Sequence, residues 1–106
     1  MRIDKFLKLS RLVKRRTLAA EMVEVGAVRL RGGKVKPAAE VRSGDEIVVA
    51  YPRRAIRVEV LSVDERALKR GAPAVTVLED RRLAEDELPW GEASDVGDDE
   101  GGDTDV

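Results

Sequence analysis

The stretch Arg2–Gly26, RIDKFLKLSRLVKRRTLAAEMVEVG, constrains this chain more than any other, because it reads as two short helices joined by a basic elbow. At about 100° per residue, Ile3, Phe6, Leu7, Ser10 and Val13 fall on one side of a helix, and Lys5, Lys8, Arg11 and Arg15 fall opposite. One face seeks an apolar core; the other seeks anions. Leu12 projects to the basic side of that wheel, so the helix is expected to bend or end near Ser10, with Val13–Arg16 as the elbow. Thr17 is the expected N-cap of a second helix that carries Leu18, Met22 and Val25 in a row and stops at Gly26. The reciprocal capping partner is missing, because Ala20 stands where Glu or Gln would be.

Lys and Arg often do no more than solvate the outer face of an amphipathic helix, but solvated faces normally mix signs. Residues 1–16 carry seven basic side chains, Arg2, Lys5, Lys8, Arg11, Lys14, Arg15 and Arg16, against Asp4 alone. Such a density repels itself unless it meets a polyanion, and guanidinium forks suit phosphate oxygens. The first helix and elbow are therefore expected to bind nucleic-acid phosphates. The competing role for Arg15 and Arg16 is pairing with Glu21 or Glu24, and exposed pairs of that kind stabilise little. Asp4 has two readings: it complements the helix dipole or fixes a neighbouring Arg, or it takes part in the RNA site although a carboxylate repels phosphate. Lys34 and Lys36 either extend the basic surface or keep an edge strand soluble.

With 106 residues the chain has room for one small domain and a tail. It has no Cys and no His, which removes disulfides, the usual zinc ligands, the usual general base and every Ser-His or Cys-His nucleophile arrangement. The expectation is a protein that is not an enzyme and carries no cofactor and no metal. No apolar run reaches membrane-spanning length and no signal-peptide pattern is evident, so a soluble cytoplasmic protein is expected. The formal charge of −1 hides a segregation. Residues 1–60 hold 15 Lys and Arg against 7 Asp and Glu, net +8, whereas residues 61–106 hold 5 against 14, net −9.

After Gly26, Val28 and Leu30 alternate with Arg29 and Arg31 as a half-buried strand. Gly32-Gly33 follows as a hairpin turn, and Lys34–Lys36 returns with Val35 inward until Pro37. The turn Ser43-Gly44-Asp45 leads to a strand over Glu46–Tyr51; Pro52-Arg53-Arg54 turns the chain into another strand, with Ile56, Val58 and Val60 inward. A short helix is possible from Val63 to Arg70, ended by Gly71 and Pro73, and Val75–Leu78 is either a further strand or a docked extended segment. Beyond Leu83 there are ten acidic residues and no basic ones, the composition of a disordered acidic tail. The reading is an α+β unit: two N-terminal helices packed on a small, mostly antiparallel sheet. Residues 1–61 form the domain, 62–83 an extension and 84–106 the tail. With Phe6 on the core side and Trp90 in the tail, base stacking is weak, and recognition should rest on backbone phosphates and RNA shape.

The pieces R-I-D-K-F-L…S-R…K-R-R-T-L-A…G, V-R-L-R-G-G-K-V-K-P and V-R-S-G-D-E-I-V-V agree in order and spacing. Together they resemble the S-four RNA-binding domain, named after small-subunit ribosomal protein four, over about residues 1–60. The opening is most similar to stand-alone members that act in ribosome-associated quality control. The resemblance implies contacts with large-subunit rRNA and with P-site tRNA, on a large ribosomal subunit still obstructed by peptidyl-tRNA. It also implies action beside an RqcH-like factor that tails stalled peptides at their C-terminus. Carried over residue by residue, it marks Arg2, Lys5, Arg11, Lys14, Arg15 and Arg16, with Asp4 in the R-I-D-K opening. A monomer without membrane contact is expected. Alternatives are a heat-shock-type large-subunit recycling factor, an adaptor whose acidic tail binds a basic protein, and the RNA-docking appendage of a modifying enzyme. The last is disfavoured, because the roughly 45 residues after the domain hold no cofactor motif.

Overall fold

A computed structural model of the chain describes residues 1–84. Three helices, α1 (Ile3–Leu9), α2 (Arg16–Glu24) and α3 (Glu65–Lys69), accompany five strands: β1 (Val28–Leu30), β2 (Gly33–Lys34), β3 (Glu46–Tyr51), β4 (Arg54–Val60) and β5 (Val75–Arg82). The strands form one antiparallel sheet in the order β2-β1-β3-β4-β5. The expected α+β architecture is the observed one. The acidic segment expected to be disordered, 84–106, lies outside the described residues but for Ala84.

The core follows from period-two alternation in the strands meeting the apolar side of α1. Register aligns Val28, Val49 and Ile56 in one row and Leu30, Ile47 and Val58 in the next. Ile3, Phe6 and Leu7 of α1 close over these rows and are fully buried. Burying each of these large side chains contributes about 1.5–3 kcal/mol, so α1 is the best-anchored helix of the fold. On the opposite face Arg57 pairs with Glu46 of β3 and, at 3.5 Å, with Glu79 of β5, a cross-strand ladder on a half-exposed surface.

Several local expectations shift. α2 begins at Arg16, and its cap is the extended Arg15 (φ −127°, ψ 143°), so Thr17 lies inside the helix instead of capping it. The buried row of α2 is Ala19 and Val23, while Leu18 is 44% and Val25 77% exposed. The helix is rotated by about one residue from the expected Leu18-Met22-Val25 row: small Ala19 lets α2 come close to α1, a benefit that hydropathy does not register. The β1–β2 turn is Arg31-Gly32, not Gly32-Gly33. Both take positive φ (51° and 83°), as a two-residue mirror-image turn requires, and Leu30 then faces Gly33. β2 accordingly stops at Lys34, and Val35 reaches the core from outside any strand.

The segment 62–83 supplies α3 and β5. Asp64 caps α3, its carboxylate accepting the backbone N–H groups of Arg66 and Ala67 at 3.1 and 3.2 Å. The open choice at Val75–Leu78 is settled as part of an eight-residue strand that pairs with β4 along its length and carries a register shift opposite Arg57/Val58. Among the described residues, no helix is long and apolar enough to cross a membrane.

Candidate nucleic-acid interface

α1 is the axis of the site, and its flank towards α2 is organised by Asp4. This carboxylate is 4% exposed and accepts the Lys5 backbone N–H at 2.7 Å, complementing the helix N-terminus. It also receives Arg2 side-on, Nε to Oδ1 at 3.3 Å and Nη2 to Oδ2 at 3.1 Å, and Arg16 Nε at 3.4 Å from Oδ1. Two guanidinium groups, each about half exposed, are thus held side by side with most of their donors facing solvent. Asp4 is therefore the buried fixture of an arginine pair. Arg16 pairs with Asp4, not with Glu21 or Glu24.

The elbow is equally fixed. The Ser10 and Val13 backbone N–H groups donate to the Phe6 and Leu7 carbonyls at 2.8 and 3.1 Å, and Val13 is buried. The Tyr51 hydroxyl donates to the Leu12 carbonyl at 2.5 Å, tying the elbow to the end of β3, and burial pushes that hydroxyl's pKa up from its ordinary value. Between these anchors Arg11 takes a left-handed conformation (φ 67°), which is unfavourable for any side chain bearing a Cβ. Lys8, Arg11, Lys14 and Arg15 are all exposed, and none forms an ion pair with a described residue. Four cations without an ion-pair partner among the described residues, on a frame held by these bonds, form a surface that can receive phosphate oxygens without ordering itself first.

The other flank of α1 faces α3. Lys5 Nζ lies 2.7 Å from Glu65 Oε1, and Lys69 Nζ lies 3.0 Å from Glu65 Oε2. The hydrogen bonds from Lys5 and then Lys69 hold the Glu65 carboxyl at about 2, well below the usual carboxylate range. Lys34 is exposed on the edge strand β2, with its side chain laid across Gly26, where an added Cβ would come 3.1 Å from Lys34 Cε. The ammonium group therefore sits near the C-terminus of α2. Lys36 is exposed next to Pro37, whose carbonyl accepts the Asp4 N–H at 3.3 Å, so it borders the Asp4 flank.

All the sequence-predicted cations thus lie on or beside the α1–elbow–α2 surface, with Lys34 the most peripheral. Sequence reasoning missed Tyr51 as the prop of the elbow, because nothing local ties it to Leu12 across a separation of 39 residues. It also missed Glu65 and Lys69, although their i, i+4 spacing on a short capped helix was a signal to look for.

The family model for the S4 domain matches residues 1–47. The chain is similar to the RQC P-site tRNA stabilizing factor of Listeria innocua, with 40% identity over 86 residues, 80% of this chain and 94% of that protein. Its Bacillus subtilis counterpart is 38% identical over 86 residues, 80% of this chain and 100% of that protein. Among solved structures the chain resembles the trimeric structure of Vibrio cholerae Heat Shock Protein 15. The TM-score is 0.65 at 26% identity, covering 73% of this chain and 80% of that one. The matches run past Leu61, where the resemblance was expected to stop, and take in the segment that builds α3 and β5.

Proposed function

This chain belongs to the family of RQC P-site tRNA stabilizing factors, and on that premise we propose that it is a non-enzymatic RNA-binding factor of ribosome-associated quality control. It binds large-subunit rRNA and P-site peptidyl-tRNA on obstructed large ribosomal subunits. It acts in the cytoplasm as a monomer, beside an RqcH-like factor whose C-terminal tailing of stalled peptides it supports. The RNA-contacting residues are Arg2, Lys5, Lys8, Arg11, Lys14, Arg15 and Arg16, with Lys34 and Lys36 at the margin and Asp4 holding the arginine pair.

The observation that carries this reading is the Arg2–Asp4–Arg16 cluster, in which a buried carboxylate, its charge offset by both arginines, fixes two forks beside four cations that have no ion-pair partner among the described residues. Arginine forks suit paired phosphate oxygens, and a broad basic face poor in aromatics suits two backbones lying close together better than a splayed single strand. A tRNA resting on large-subunit rRNA presents such a junction. A heat-shock-type large-subunit recycling factor is the second reading, favoured by the structural likeness to Heat Shock Protein 15.

Sedimentation with purified large subunits, empty or holding peptidyl-tRNA, tests the first reading. A marked preference for obstructed subunits is expected, reduced by Arg2→Ala and Arg16→Ala, together with loss of peptide tailing in cells lacking the protein. Equal binding to empty and obstructed subunits with tailing intact would remove the quality-control role.

A further inference from the structure

Between the end of α1, the elbow and α3 lies an open groove of about 550 Å³. Its rim is cationic: Lys8, Arg11 and Lys14 stand on one side and Lys69 on the other. Its floor is apolar, formed by half-buried Leu9 with buried Val13 and Leu68. We propose that this groove is a second seat for an RNA phosphate backbone, with α3 as its far wall, separate from the Arg2–Asp4–Arg16 cluster on the opposite flank of α1. The proposal rests on the RNA-binding reading above and deepens it, dividing one basic face into two tracks and adding Lys69, which lies outside residues 1–47 of the family-model match.

Three features argue for a polyanion here. The four rim cations have one counter-charge among the described residues, Glu65, which reaches Lys69 and turns its other oxygen to Lys5. A groove with one sign of charge on its walls and apolar side chains on its floor focuses its field on what enters it. The floor also suits the apolar flank of a sugar-phosphate chain better than it suits water, while leaving too little exposed apolar surface to attract a protein helix. Finally, the walls are rigid: the elbow is held by the Val13 and Tyr51 bonds, and α3 is capped by Asp64 and linked to α1 through Glu65.

Glu65 sets the chemistry of docking. A phosphate entering the groove competes with its carboxylate for Lys69, so the pair that links α3 to α1 in the free protein restrains the RNA contact. Removing that carboxylate should favour RNA, and removing Lys69 should disfavour it.

The test measures binding of the full chain to a short RNA duplex and to large subunits obstructed by peptidyl-tRNA, across a salt series. Lys69→Ala should weaken binding about fivefold near 0.1 M salt and reduce the log–log salt slope by about 0.7–0.9, the signature of one lost phosphate contact. Lys69→Arg should retain wild-type binding, and Glu65→Gln should tighten it roughly twofold. If Arg16→Ala weakens binding while Lys69→Ala and Glu65→Gln leave affinity and slope unchanged, the groove is overturned and the RNA-binding reading stands. If Arg16→Ala and Lys69→Ala are both without effect, that reading falls and the groove falls with it.

Discussion

On one flank of α1 a carboxylate whose side chain is 5% exposed, Asp4, holds Arg2 and Arg16; on the other a carboxylate 38% exposed, Glu65, holds Lys5 and Lys69. Each flank therefore places one anion between two cations, yet the same plan has different consequences at different burial. Asp4 lies where water cannot replace it, so its two arginines are fixed in direction before any ligand arrives. Glu65 lies where water and salt compete, so its two lysines stay exchangeable. A planar fork gains from being aimed, whereas a point-charge ammonium on a long stem needs no aiming. The arginines sit with the buried carboxylate and the lysines with the exposed one, which is the distribution that selects for geometry on one side and for charge on the other.

The largest effect should come from removing what the two flanks share. Phe6 is fully buried beneath α1, and Phe6→Ala should destabilise the protein by about 3–5 kcal/mol, a large part of the stability of a domain this size. Urea unfolding would measure it, and RNA binding by both flanks should be lost together. A variant that lost only one flank would show that α1 does not couple them.

Asp4→Asn comes next and acts on one flank alone. It keeps the shape and removes the charge that both guanidinium groups share, at a cost of about 1–2 kcal/mol after allowing for their half-exposure. RNA affinity should fall roughly thirtyfold as two side chains lose their fixed direction, at about 1 kcal/mol each. Glu65→Gln, its counterpart, should leave unfolding unchanged within measurement. Equal destabilisation by the two substitutions would break the contrast between buried and exposed carboxylates.

Arg11→Gly should separate backbone from charge at the elbow. Glycine accepts the φ of 67° without the Cβ penalty, so stability should be unchanged or up to about 1 kcal/mol higher. RNA affinity should nevertheless drop about fivefold near 0.1 M salt. Unchanged affinity would mean that Arg11 takes its unfavourable conformation for a reason other than RNA.

How much of this was legible in the sequence depended on whether the signal was local. The core face of α1, its end near Ser10, the strand Glu46–Tyr51 and the inward Ile56, Val58 and Val60 all follow from period and turn chemistry, and all appear in the structure. The face of α2 did not, because hydropathy favours Leu18 and the helix seam favours the smaller Ala19. The basic residues were legible as charges, but their arrangement was not. That Asp4 would reach Arg16 across the elbow, that Tyr51 would hold Leu12, and that Glu65 would join Lys5 to Lys69 are all consequences of tertiary packing. The strand over Val75–Arg82 was ambiguous for a related reason: its residues are mostly exposed, so pairing with β4 carries the element more than burial does.

The smallest expected effect is also the most direct reading of the exposed flank. Glu65 has its pKa lowered from 4.5 to about 2, first by the hydrogen bond from Lys5 and then by that from Lys69. A carboxylate depressed in the folded state contributes its full stabilisation above its unfolded pKa, and that contribution is lost as the pH falls through the folded value. The stabilisation contributed by the link between α1 and α3 should therefore be complete above about pH 4.5, decline below it and be lost as the pH falls through about 2, where the Glu65 carboxylate itself takes up its proton. Titration followed by the NMR shift of the Glu65 carboxyl carbon should place its midpoint near 2, and Lys69→Ala should move it part of the way back towards 4.5. The movement should be only partial, because Lys5 remains as the stronger partner. A midpoint already near the ordinary glutamate value would mean that solvent screens both lysines, and that the second flank is held by the packing of Leu68 and Leu9 instead of by charge.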